Sequence, residues 1–117
     1  MAEPIIEYFY AAHSVFAYLG SARFIDIARA AGRRIVHKPF DYQPVVTTSG
    51  AGSTRERSTA HRSYYFGREI ERWAEWRDVP IMQGFPAHHF ADMTLASGML
   101  IAAVKQGQDI DGLSHCL

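Results

Sequence analysis

The chain has almost no sulfur chemistry of its own. Cys116 is its single cysteine among 117 residues, which excludes an internal disulfide and any Cys-x-x-Cys redox or zinc pair. Net charge is missing too: twelve Lys and Arg are balanced by twelve Asp and Glu. That balance leaves no electrostatic footprint for nucleic acid or an anionic membrane surface, and neither is expected as a partner. No apolar run approaches the roughly 20 residues that a membrane-spanning helix needs. The N-terminus has no basic stretch followed by an apolar one, so no secretory signal is read and a cytoplasmic protein is expected. Internal repeats and low-complexity tracts are absent as well. What is there is 48% apolar and 13% aromatic, the composition of a folded globular chain of at most one domain's length with a modest core.

The stretch that organises the chain is Tyr8-Phe9-Tyr10-Ala11-Ala12-His13-Ser14-Val15-Phe16-Ala17-Tyr18-Leu19-Gly20. Residues 4–10 are apolar and aromatic apart from Glu7 and read as a strand, whose near-continuous apolarity predicts cover on both faces, as in a parallel sheet. Ser14 then opens a helix over 14–31, with Arg23, Asp26 and Arg29 on one narrow polar stripe and Leu19, Ala22, Ile25 and Ala28 among the apolar remainder. Serine is a favoured N-cap, because its oxygen accepts a bond from an otherwise unpaired backbone N–H. The first turn of a helix also carries partial positive charge and unpaired donors, which suit an anion. Ser14 is therefore read either as a cap, the commoner role, or as a hydroxyl facing an anion such as a thiolate. Gly32 supplies the helix stop, and residues 33–38 read as a second strand ended by Pro39. Strand, helix and strand in this order form a right-handed βαβ unit with parallel strands.

Beyond Phe40 the pattern changes. Residues 41–57, with Pro44, several Thr and Ser, and Gly50-Ala51-Gly52, are expected to form a long surface loop. Ser58 can cap a helix running to about Arg77, in which Gly67 costs about 1 kcal/mol against alanine and so implies a packing reason. Asp78-Val79-Pro80 ends it. A third helix is expected over 90–106, with Leu95, Met99, Ala102 and Ala103 on its apolar side, and residues 109–117 read as the beginning of another. Two parallel strands do not make an independently stable sheet. Either a second copy, in a homodimer, or further chain has to supply neighbours, and truncation at the C-terminus is the expectation.

Three passages carry a family resemblance. Ser14-Val15-Phe16-Ala17-Tyr18-Leu19 resembles the Ser-Pro-Tyr/Phe-Ser-Tyr-Leu signature of the 2-hydroxychromene-2-carboxylate isomerases, which belong with kappa-class glutathione transferases and disulfide-oxidoreductase relatives of the thioredoxin-like fold. Arg62-x-x-Tyr65-x-x-x-Glu69-x-x-Arg72-Trp73-Ala74, followed by Val79-Pro80, is similar to a second family motif. Gly107-Gln108-Asp109-Ile110 sits where relatives often have a short turn before the next helix. The resemblance implies an α/β fold: a thioredoxin-like βαβ half over 1–45 and the start of an inserted helical domain over 46–117, truncated at the C-terminus. It also implies glutathione as cofactor, its sulfur held as a thiolate beside Ser14, with Val15 and Phe16 in the cofactor site and Arg62 and Tyr65 toward a small-molecule substrate. The reaction implied is a glutathione-dependent isomerisation, in which the thiolate adds reversibly to a conjugated aromatic substrate, allows rotation and leaves. A kappa-type transferase or a non-catalytic fragment are the alternatives.

The departures from that pattern concern the substrate. Val15 replaces the usual proline, and Val46, Ala51, His88 and His89 stand in neighbourhoods where the isomerases carry lysine, asparagine and arginine. Thiol–disulfide exchange needs an attacking thiolate, and Ser14 and Ala17 have no sulfur. His13 reads as a polar residue at a helix entry before it reads as a base. His88-His89 with Asp92 match no metal-ligand spacing, and no metal site is expected.

Overall fold

The computed structural model describes residues 2–116, the Thr54 side chain excepted. In chain order the elements are β1 (Ile5–Tyr10), α1 (Val15–Ala30), β2 (Arg34–Pro39), α2 (Tyr42–Thr48), a 3-10 turn (Thr54–Glu56), α3 (Thr59–Ser63), a π-helical turn (Tyr64–Arg68), α4 (Glu69–Arg77), α5 (Thr94–Lys105) and α6 (Asp111–Cys116). The chain divides into two compact units, residues 1–40 with 90–117, and residues 41–89. The sequence-based segments of 1–45 and 46–117 differ from this division in placing residues 90–117 with the helical part.

In the first unit β1 and β2 are parallel, in register from Ile5 opposite Arg34 to Tyr10 opposite Pro39. α1 makes the crossover, as the strand–helix–strand pattern predicts. Ser14 caps α1, its Oγ accepting from the Ala17 N–H at 3.3 Å. At the other end Gly32 adopts φ +62°, the left-handed conformation that glycine takes without a Cβ penalty. There the Gly32 N–H bonds to Arg29 O and the Arg33 N–H to Ala28 O, both at 2.9 Å, which satisfies the last carbonyls of the helix.

One face of the sheet is buried. Ile25, Ala28 and Ile35 form one cluster with Ile6, Tyr8 and Phe24, and Tyr10, Leu100 and Ile110 form another with Tyr8, Ala17 and Val104. Stacked Tyr8 and Tyr10, 4.3 Å between centroids, join the two. The opposite face is not covered among the described residues: Ile5 is 43% and Phe9 60% exposed. The expectation of a strand covered on both faces is corrected here, for a local reason. Lys38 pairs with Glu7 and lies 5.2 Å over the Phe9 ring. That cation–π contact lets an aromatic residue occupy the wet face and hides the period-2 pattern.

α5 also differs from its expectation. It begins at Thr94, after Asp92 Oδ1 accepts the Thr94 N–H at 2.6 Å. Its inward residue is the fully buried Leu100, whereas Leu95 is 86% and Met99 44% exposed. With Leu95, Met99, Leu100, Ile101 and Val104 spread around the helix, hydrophobic periodicity does not mark one face. α6 follows a turn in which Asp109 Oδ1 accepts the Asp111 N–H at 3.0 Å. Leu117, the end of the expected further helix, lies outside the described residues.

The second unit corrects the long-loop expectation for 41–57. Asp41 caps α2 through the Gln43 N–H at 3.1 Å, and Pro44 sits in the first turn, where its missing N–H leaves no helical bond unmade. The expected helix over 58–77 is present but carries the π-helical turn. Gly67 lies in that turn, and a Cβ built on it would meet nothing within 4 Å, so no packing constraint requires glycine there. Asp78, at φ 53°, ends α4.

Candidate functional site

Ser14 sits at the C-terminal end of β1 because a turn brings it there, its N–H bonding to Ala11 O at 3.0 Å. The cap bond from Ala17 to Ser14 Oγ, at 3.3 Å, is longer than an ordinary hydrogen bond. It uses a lone pair of the oxygen and leaves the hydroxyl proton free to donate elsewhere. Cap and anion ligand are thus compatible roles for one side chain.

Ser14 is half-buried and lines a narrow cleft with Tyr10, Ala17, Tyr18, Ser21 and His115. The space among these residues is about 10 Å³, room for one water-sized group. Val15 and Phe16 form the first turn of α1. They are half-buried, and neither side chain lines the cleft.

Behind the cleft runs a buried polar chain. The Tyr10 hydroxyl donates to His37 Nδ1 at 3.1 Å, and His37 Nε2 donates to Asp111 Oδ1 at 2.7 Å. Arg29 approaches the other Asp111 oxygen at 3.8 Å. The His37 side chain is 3% exposed, so these bonds replace water on both ring nitrogens. Burial, then the neighbouring Tyr8 phenol, push the Tyr10 hydroxyl up to about 12, and burial also raises Tyr8. Both phenols are neutral at physiological pH. On the cleft wall the Ser21 hydroxyl contacts Tyr18 O at 3.0 Å and His115 Nδ1 at 2.5 Å, and the Tyr18 ring stacks on His115.

The second unit carries a separate groove of about 220 Å³ lined by Glu69, Arg72, Trp73 and Trp76, one face of α4. Arg72 Nη1 donates to the Tyr64 hydroxyl and Trp73 Nε1 to Glu69, both at 2.9 Å. Arg62 and Tyr65, expected toward substrate, are exposed one to two turns earlier and do not line this groove; Tyr65 stacks on His61 with centroids 5.7 Å apart. Ser14 belongs to the other unit. Among the described residues no group of three or more His, Cys, Asp or Glu is placed to hold a metal ion. The Asp92 carboxyl is instead held below the usual range by its bonds to Thr94. Cys116 is an exposed free thiol on α6.

A scan against protein-family models matches residues 5–114 to the DSBA-like thioredoxin domain. The chain belongs to that family. Membership fixes the thioredoxin-like fold and places the chain in the disulfide-oxidoreductase superfamily. Neither the search of curated proteins nor that of solved structures gives a match. Among the described residues no helix of this DSBA-like domain is long and apolar enough to cross a membrane.

Tyr10, Ser21, His37, Asp111 and His115 are the residues that sequence reasoning missed. Their partners lie 27, 74 and 94 positions apart along the chain, beyond any local pattern. One signal was legible: Asp111 and His115 stand four apart, on one face of a helix.

Proposed function

We propose that this DSBA-like domain works with glutathione, held as a thiolate at Ser14, as an isomerase of 2-hydroxychromene-2-carboxylate-like aromatic compounds. One observation carries the reading: a hydroxyl, not a thiol, occupies the N-cap of the 16-residue α1 and lines a narrow cleft. Thiol chemistry at that helix end needs a sulfur the chain does not supply there, so a small-molecule thiol supplies it. The hydroxyl proton of Ser14 and the positive end of α1 both favour the charged form of that thiol. The thiolate is the nucleophile that adds to the conjugated substrate and leaves after rotation, while Ser14 stabilises it and forms no bond to carbon.

Retention on immobilised glutathione tests the reading. A charge-assisted hydrogen bond contributes about 1.5–3 kcal/mol, so Ser14→Ala should bind roughly 10- to 100-fold more weakly. Equal retention of both proteins, or of neither, overturns the reading. A kappa-type transferase is the second reading, favoured by Val46 and Ala51 in neighbourhoods where the isomerases carry lysine and asparagine. Conjugation of glutathione to chlorodinitrobenzene without isomerisation of the chromene acid would select it.

A further inference from the structure

We propose that His115 is the base that takes the proton from a thiol seated against Ser14. The proposal rests on the glutathione reading above and adds to it the fate of the thiol proton.

The argument begins at Ser21, which is 4% exposed and owns one hydroxyl hydrogen. Its oxygen meets two partners, the Tyr18 carbonyl at 3.0 Å and His115 Nδ1 at 2.5 Å. A carbonyl only accepts. Both bonds are made only if Ser21 donates to Tyr18 and accepts from an Nδ1–H of His115; the opposite tautomer forfeits one of them at a buried site. Buried polar groups satisfy the bonds within reach, and tautomers are assigned on that ground. A neutral imidazole has a single N–H. With that proton at Nδ1, His115 Nε2 is a bare acceptor.

Its setting suits a base. The Tyr18 ring lies nearly parallel to the imidazole, 15° between planes with centroids 5.2 Å apart, and so fixes the ring face while Ser21 fixes its edge. His115 and Ser14 line the same cleft. His37, the other histidine of this polar region, has its ring nitrogens committed to Tyr10 and Asp111. The groups facing His115 are Tyr8 and Tyr10 from β1 and Tyr18 from α1, all phenols, with Asp111 and Cys116 on its own helix. Asp111, already bound to His37 and near Arg29, is the one carboxylate among them.

The step balances without a further reactant. The S–H bond breaks, its electron pair stays on sulfur, and the proton goes to His115 Nε2. The imidazolium keeps its Nδ1–H bond to Ser21, while the thiolate takes the Ser14 hydroxyl proton in a hydrogen bond. Net charge in the cleft is unchanged, and the proton returns when the thiol leaves.

The test counts protons. The chain of residues 1–117 is saturated with glutathione in weakly buffered, mildly alkaline solution. The ultraviolet thiolate band and a pH indicator are read together. Wild type should form the thiolate with no proton released to solvent. His115→Asn keeps an amide N–H in the place of Nδ1–H but has no base. It should lose at least about tenfold of the thiolate band, and release one proton for each thiolate it does form. A structural role for His115 would not move that count. A wild type that releases one proton per thiolate overturns the proposal without recourse to any variant. So does a His115→Asn protein with the wild-type band and no release. If wild type itself is not retained on the resin, the Ser14 reading falls and this one falls with it. Retention with the wrong proton count sinks His115 alone.

Discussion

Replacing Tyr10 by Phe removes one oxygen and deprives His37 Nδ1 of the donor it has at 3.1 Å. The loss falls where the His37 side chain is 3% exposed, so water does not replace the bond. A buried acceptor left unsatisfied costs about 1–3 kcal/mol, and urea unfolding at neutral pH should show the variant less stable by that amount. The alkaline range carries a second signature. The folded hydroxyl ionises at about 12 against an ordinary 10.0, because burial and then Tyr8 disfavour the phenolate. A raised folded value means that the stabilisation is whole below pH 10 and is lost as pH rises toward 12. Two pKa units correspond to about 2–3 kcal/mol. Wild type should therefore lose up to that much more than Tyr10→Phe over the same range, and the gap between the two proteins should close. Groups remote from Tyr10 are common to both proteins and cancel in the difference. A variant as stable as wild type at neutral pH, or with the same alkaline slope, would refute the buried polar chain.

Three further outcomes are expected of the packing. Leu100→Ala should cost about 2–5 kcal/mol in urea unfolding, since Leu100 is fully buried, while Leu95→Ala, at an 86% exposed position, should stay within about 0.5 kcal/mol. Gly67→Ala should raise the melting temperature through about 0.5–1 kcal/mol of stabilisation, because its Cβ meets nothing within 4 Å. A double-mutant cycle of His37→Ala and Asp111→Ala should give a coupling of at least about 0.5 kcal/mol, with loss of amide protection in α6 in each single variant, since that pair ties α6 to β2 at 2.7 Å.

The parts of this fold that announce themselves in the sequence are those fixed by residues close together. Ser14 and Gly32 bracket α1 because a cap oxygen and a left-handed glycine act on the turns beside them. α2 stayed hidden because Asp41, Pro44 and two threonines have the composition of a loop, and only the position of Pro44 in the first turn makes it harmless. The inward face of α5 was illegible because leucine, methionine and isoleucine surround it, so tertiary contact with Tyr10 and Ile110 decides that Leu100 is inside. Phe9 disguised the wet face of β1 because it is an aromatic residue held there, largely exposed, against Lys38. At the site, Ser14 was readable from its junction. The Tyr10–His37–Asp111 chain and the Ser21–His115 pair were not, because three-dimensional closure alone brings their members together.

The most direct test of the central claim is the ionisation of glutathione bound to the full chain, followed as its ultraviolet thiolate band against pH. The account predicts that bound thiol ionises below the ordinary thiol range near 8.5, and that Ser14→Ala returns it toward that value. A bound thiol that ionises at or above the free value, or identically in the two proteins, would contradict it.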